Sequence, residues 1–196
     1  MLIYDCEIEK LIPNKTSPNE EGFEYCEGWG DKKGMGISVI SVFDYDAGFP
    51  RIFMKDNIEE LWKLMDKTDI IAGFNSAHFD NQLIAAHGYQ VPKEKTYDLF
   101  LEIKEAAGAG KYAKGYNLEN CCQVNLGYGK SGDGELAPKL WQQGYFGAVA
   151  DYALRDIMIS KALLDLCIAQ PILDPGNPGT RIFVKNPLDT LQSVQS

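Results

Sequence analysis

The chain has 196 residues, 45% of them hydrophobic and 11% aromatic, enough for one globular domain with its own core and too few for two comfortable ones. Its formal charge of −9 argues against a broad basic grip on nucleic acid. With no apolar run near the ~20 residues of a bilayer span and no basic region ahead of the opening MLIY, the chain is expected to be soluble, cytoplasmic and without a membrane partner.

Residues 1–8 alternate and are rich in apolar types, which predicts a strand carrying Asp5 and Glu7 on one face, because side chains repeat every second residue. A polar stretch over residues 10–36 follows. Its aromatics, Phe23, Tyr25 and Trp29, could stack on unpaired bases, although packing of the loop on its own domain is the simpler expectation. The β-prone run 37–43, a turn with Gly48 and Pro50, and residues 51–54 predict two further strands in an antiparallel meander. Asn57 reads as the cap of a helix with Ile58, Leu61, Trp62 and Met65 as its apolar stripe.

Residues 69–74 predict a short buried strand, after which 75–80 turn into a helix through Leu83 and Ile84 that stops at Gly88. Asp80 then lies at a strand-to-helix junction. A short strand at Thr96 and Tyr97 leads to a helix over 98–107, and Asn117 caps another that ends at Leu126 before Gly127. The strongest helical pattern spans 149–168, and the proline-rich remainder reads as one short strand over 181–184 and a loose tail. These elements predict an α/β domain with a mixed sheet of five strands over 1–170, and a C-terminal extension over 171–196. Five cysteines, odd in number and without Cys-x-x-Cys spacing, predict free thiols in a reducing compartment.

Tyr152 and Asp156 are four residues apart on the last helix and share a face. If that helix packs across the sheet, they meet Asp5 and Glu7, and with Asp80 four carboxylates converge. Hard cations such as Mg²⁺ or Mn²⁺ prefer carboxylate oxygens, and two of them ~3.5–4 Å apart stabilise the attacking and leaving oxygens of phosphodiester hydrolysis. A tyrosine hydroxyl nearby could orient or deprotonate the attacking water, although its ordinary pKa near ~10 requires a metal to acidify that water as well. Taken singly, each residue has a plainer reading: an exposed strand face for Asp5 and Glu7, helix capping for Asp80, pairing with Lys161 for Asp156, and core packing for Tyr152. Their joint order and settings outweigh those readings.

The three clusters, Asp5-Cys6-Glu7, Asn75 with Phe79-Asp80, and Tyr152 with Asp156, resemble in this order the motifs of the DEDD exonucleases of the ribonuclease H-like superfamily, in their tyrosine-type subgroup. Segment 118–141, with its Gly-rich turn and Leu-Ala-Pro-Lys-Leu-Trp, is similar to that family's approach to the third motif, so the resemblance covers about residues 1–170. It implies a ribonuclease H-like sheet flanked by helices, two divalent metal ions, and release of nucleoside monophosphates from the 3′ end of single-stranded DNA or RNA. By position it implies that Asp5, Glu7 and Asp156 hold the metal that activates water, and that Asp5 bridges to a second metal. Asp80 would reach that second metal through water, Tyr152 would position the nucleophile, and Asn75 and Phe79 would lie near the terminal nucleotide. Ile8 departs from the Thr or Ser of many relatives, which touches a secondary substrate contact and leaves the metal cage intact. Since no polymerase domain fits in 196 residues, a polymerase or other replication or repair partner would act in trans. Two competing functions use the same fold: a non-catalytic nucleic-acid-binding or interaction module, and a phosphodiesterase of short oligonucleotides or nucleotides.

Residues 127–132 match Gly-x-Gly-x-x-Gly, but Val124 stands where a phosphate loop needs glycine and a helical pattern precedes. A turn with Lys130 as a phosphate contact is the better reading, and Lys111, Lys114 and Lys139 are the other basic candidates. His78 and His87, nine residues apart, read as packing or capping rather than as a transition-metal pair.

Overall fold

The chain's first strand, β1 (Leu2–Glu7), becomes the middle of a five-stranded sheet. The computed structural model describes residues 1–129 and 134–189. Within them β2 (Val39–Asp44), β3 (Phe49–Phe53), β4 (Ile71–Gly73) and β5 (Thr96–Asp98) complete the sheet in the order β3-β2-β1-β4-β5. The first three strands form the antiparallel meander, whereas β4 and β5 join β1 in parallel. Helices cover both faces, so β2 is buried at every position, and its apolar residues Val39, Ile40, Val42 and Phe43 do not alternate with exposed polar ones.

The covering helices are α1 (Lys32–Met35), α2 (Ile58–Lys67), α3 (Asp80–Ala86), α4 (Leu99–Ala106), α5 (Leu118–Leu126), α6 (Leu136–Gln142) and α7 (Phe146–Ala169). The pleat of β1 sorts its side chains between two cores. Leu2, Tyr4 and Cys6 join Leu61, Met65, Leu83 and Ile84 from α2 and α3. Ile3 joins the opposite core, with Leu99, Ile157, Leu163 and Leu164 from α4 and α7. Asp5 and Glu7 share the parity of Ile3 and therefore face the α7 side.

Local signals operate as expected at α5, where the Asn117 side chain accepts from the Asn120 N–H at 2.8 Å and Gly127 closes the helix in the left-handed region at φ 77°. Asn57 departs from expectation. Its side chain does not cap α2; it accepts from the Met54 N–H at 2.6 Å and donates to the Ile52 carbonyl at 3.3 Å, so it closes the turn out of β3 instead. Residues 10–36 close on themselves through Leu11 N–H to the Glu24 carbonyl and Cys26 N–H to the Leu11 carbonyl, and Gln142 of α6 ties them to the domain by donating to the carbonyls of Glu9 and Glu24. The stretch also contains α1, capped by Asp31 accepting from Gly34 N–H at 2.8 Å.

The C-terminal region holds two strands where one over 181–184 was expected. β6 (Ile172–Asp174) and β7 (Asn177–Ile182) form a hairpin, with Pro175-Gly176 between the paired Asp174 and Asn177, a dipeptide suited to a tight turn. Asn125 of α5 treats β6 as a neighbouring strand would: its side chain accepts from Leu173 N–H at 2.7 Å and donates to the Leu173 carbonyl at 3.0 Å. Tyr116 adds a hydroxyl bond to Asp174 at 2.9 Å. All five cysteines are free and buried, and no helix among the described residues is long and apolar enough to cross a membrane.

Replacing Asn125 by Ala removes the partner of both Leu173 backbone groups, and the expected loss is about 2 kcal/mol in urea unfolding. An unchanged midpoint would show that the hairpin does not depend on this amide.

Candidate active site

Strand β4 is short, and it pairs with β1 only at Leu2 and Ile3. Past Gly73 the chain leaves the sheet, because Asn75 takes the left-handed conformation at φ 60°, which Asn tolerates better than most residues. A Cβ on Gly73 would fall 2.6 Å from the Ser76 Cβ, so the turn can fold back this tightly only over glycine. Asp98, at the end of β5, clamps the turn. One of its oxygens accepts from Asn75 N–H at 2.9 Å and from Phe100 N–H at 3.1 Å, and the other accepts from Ala77 N–H at 3.0 Å.

With β4 gone, the N–H of Cys6 donates to the Asp80 carboxylate at 3.0 Å, and the Tyr4 hydroxyl donates to the side chain of Asn81. Two consecutive residues of α3 are thereby tied to the central strand. Asp5 and Glu7 of β1 and Asp156 of α7 each present an oxygen within 4.8 Å of the others. Glu7 and Asp156 are buried at 8% and 2% exposure. Asp80, at 3% exposure, stands beside this group rather than in it, joined to it through Cys6. Burial, and then the charge of Asp5, holds its carboxyl well above the usual carboxylate range, against the pull of the Cys6 N–H. The Cys6 thiol is pushed up by burial and by Asp80, which leaves it a poor nucleophile.

Tyr152 lies one turn before Asp156 on α7, buried in a cluster with Val39, Ala137, Val149 and Ala153. Val39 is the strand partner of Glu7, so the tyrosine ring belongs to the layer that borders the carboxylates. Lys161, the plainer partner for Asp156, binds Asp165 at 2.5 Å. Lys139 is likewise engaged, with Glu20 at 2.6 Å and Glu135 at 3.6 Å. Lys130 lies outside the described residues, while Gly127 and Gly129 follow a helix. His87 sits at the end of α3 with Nδ1 2.8 Å from the Leu83 carbonyl. His78, exposed, precedes the same helix, so α3 separates the two.

Asn75 and Phe79 line a cleft of about 600 Å³ whose floor includes Asp5, Glu7 and Asp80. The loop 10–36 supplies its outer wall. Trp29, 66% exposed, meets the Phe79 ring edge-on at 6.0 Å, and the Lys32 ammonium lies 4.3 Å from the same ring centroid. Phe23 instead lies under Lys139 at 5.7 Å, and the Tyr25 hydroxyl accepts from the Glu20 N–H. Sequence reasoning did not single out Lys32 or Asp98. Asp98 was visible only as the start of a helix; its grip on residues 75–77 joins segments that no local pattern connects.

Three carboxylates, two of them buried, come together here. Their hard oxygens suit Mg²⁺ or Mn²⁺ better than a softer transition metal. Because the folded chain holds Asp80 protonated to higher pH than the unfolded chain does, its stabilising contribution is present at low pH and is lost as pH rises through the folded pKa. In EDTA, Asp80→Asn keeps an acceptor for Cys6 and removes this loss. In urea unfolding the variant is expected to gain on wild type as pH rises above the ordinary carboxylate range, with the difference shrinking toward acid pH. Parallel pH profiles would contradict the assignment.

The sequence matches no protein-family model and no curated protein. Among solved structures, the fold is similar to that of the family B DNA polymerase from the hyperthermophilic archaeon Pyrobaculum calidifontis, with a TM-score of 0.57 and 16% sequence identity over 84% of this chain. The match spans 24% of that polymerase chain. At this identity the likeness speaks for the fold, and with the β3-β2-β1-β4-β5 order it defines an α/β, ribonuclease H-like domain with a mixed five-stranded sheet flanked by helices.

Proposed function

We propose that the chain is a metal-dependent 3′-5′ exonuclease of the tyrosine-type DEDD kind, hydrolysing phosphodiester bonds of single-stranded DNA or RNA. The observation that carries this reading is the convergence of Asp5, Glu7 and Asp156, from the first strand and the last long helix, with oxygens within 4.8 Å of one another. Asp80 and Tyr152 adjoin them from α3 and α7. The likeness to a segment of a DNA polymerase is in keeping with a nucleic-acid substrate.

In this reading Asp5, Glu7 and Asp156 would hold a divalent ion, and Asp80 beside Asp5 would serve a second. When bound, Mg²⁺ or Mn²⁺ acidifies water and offsets charge on the phosphodiester. The residues of the chain then divide the remaining work. Tyr152, fixed by packing, orients the attacking water with its hydroxyl. Asn75 and Phe79 place the terminal nucleotide in the cleft that Trp29 and Lys32 wall off. Asp98 fixes the turn on which Asn75 stands and so acts on position alone. Hydrolysis forms a bond from the water oxygen to phosphorus and breaks the bond to the 3′ oxygen, which takes a proton, giving a nucleoside monophosphate and a new 3′ hydroxyl.

Purified protein with Mg²⁺ or Mn²⁺ is expected to shorten strands with a free 3′ end stepwise, to spare 3′-blocked strands, and to stop in EDTA. Asp5→Ala removes the activity, and degradation that survives it would sink the metal assignment. Tyr152→Phe lowers kcat by roughly 10²-fold with a smaller change in KM; an unchanged kcat would reassign the tyrosine to packing.

A further inference from the structure

Asp5 lines two clefts. One is the aromatic cleft of Phe79 and Trp29; the other, of about 680 Å³, runs from Asp5 past Phe74, Asn75 and Phe100 to Lys114 and Tyr116. Asn75 and Phe74 belong to both, so they form the ridge between two compartments that share a carboxylate.

Residues 113–117 line the second cleft; they end the loop 107–117 between α4 and α5, which carries Lys111 and Tyr112 just outside the lining and whose composition departs from that of the chain. The protein carries a formal charge of −9, yet no acidic residue occurs between Glu105 and Glu119, a stretch that contains Lys111 and Lys114. Both lysines are exposed. Tyr112 between them is 86% exposed, with the Lys111 ammonium 5.6 Å from its ring centroid. Such exposure of a large ring is unusual for a residue that only packs.

The backbone beneath these side chains is anchored. Lys104, itself buried, donates to the Lys111 carbonyl at 2.7 Å, Asn120 donates to the Gly115 carbonyl at 2.5 Å, and Tyr116 is tied to Asp174 of the C-terminal hairpin. The loop therefore presents two cations and one aromatic face outward from a fixed base, beside a cleft that opens onto the acidic group. Alternating cationic and aromatic side chains along a groove is the arrangement that binds a single strand without regard to its sequence, phosphates on the cations and bases on the ring.

We propose that the second cleft and the loop 107–117 form the track for upstream nucleotides of a single strand whose 3′ end lies at Asp5, with Lys114 and Lys111 on phosphates and Tyr112 stacked on a base. The inference rests on the exonuclease reading and narrows it, because a track of this kind serves a polynucleotide and gives a dinucleotide nothing. It also gives the C-terminal hairpin a part in the site, since Asp174 of the hairpin holds Tyr116 in place.

The test compares an oligodeoxythymidylate dinucleotide with the octanucleotide, by fluorescence anisotropy in EDTA and by degradation in Mn²⁺. Wild type is expected to bind the octanucleotide about 10-fold more tightly than the dinucleotide and to degrade it with a correspondingly higher kcat/KM. Tyr112→Ala should lose about 10-fold in octanucleotide affinity with the dinucleotide unchanged. Lys111→Ala/Lys114→Ala should reduce the slope of log affinity against log salt by about 1.4 for the octanucleotide, at about 0.7 per phosphate contact. Equal handling of the two lengths by wild type, or equal losses on both in the variants, would overturn the track while degradation in Mn²⁺ upheld the exonuclease. Length-dependent binding that needs Lys111, Tyr112 and Lys114 but comes with no degradation would uphold the track and overturn the activity.

Discussion

A buried backbone N–H must find an acceptor, and at Cys6 the strand that should supply one has already ended. Strand β4 turns away at Gly73, two pairs into its register with β1, and the open edge of the central strand takes the carboxylate of Asp80 instead. Much of the site follows from that substitution. It draws the N-terminus of α3 against β1, sets Asp80 beside Asp5, and leaves a crevice past the C-terminal ends of the parallel strands β1, β4 and β5, the usual place for ligands in open α/β sheets. The turn that permits it needs Gly73, the left-handed Asn75 and the three-bond clamp of Asp98.

The resulting electrostatics are strained in a way that a core would avoid. Glu7, Asp80 and Asp156 are all buried within one locality, and the Asp80 carboxyl is driven toward its protonated form chiefly by burial and then by Asp5. The acidic floor and the acid-free loop 107–117 then complement each other: one suits cations, the other suits the polyanion those cations would help to bind.

Much of this was legible in the chain itself. The period-two pattern of residues 1–8 placed Asp5 and Glu7 on one face, the four-residue spacing of Tyr152 and Asp156 placed them on one side of a helix, and the Asn117 cap and Gly127 stop bounded α5 closely. All of these depend on interactions within a turn or two of the residue concerned. The failures have the opposite character. Asn57 was expected to cap its helix and instead serves the strand before it, because Met54 N–H and Ile52 carbonyl compete for the same amide. The hairpin β6–β7 was read as a strand and a tail, since its stability comes from Asn125 and Tyr116, some fifty residues away or more.

By itself, then, the sequence determined which residue types sit on which face of which element, since dihedral preference, capping and periodicity are local properties of the chain. Only the tertiary structure decided that three carboxylates from opposite ends of the chain share one small volume, that Asp80 stands apart from them on the Cys6 N–H, and that Trp29 and Lys32 close over Phe79. Those choices follow from where β4 stops and how α7 crosses the sheet. Both are settled by burial of the whole core, which no window of sequence contains.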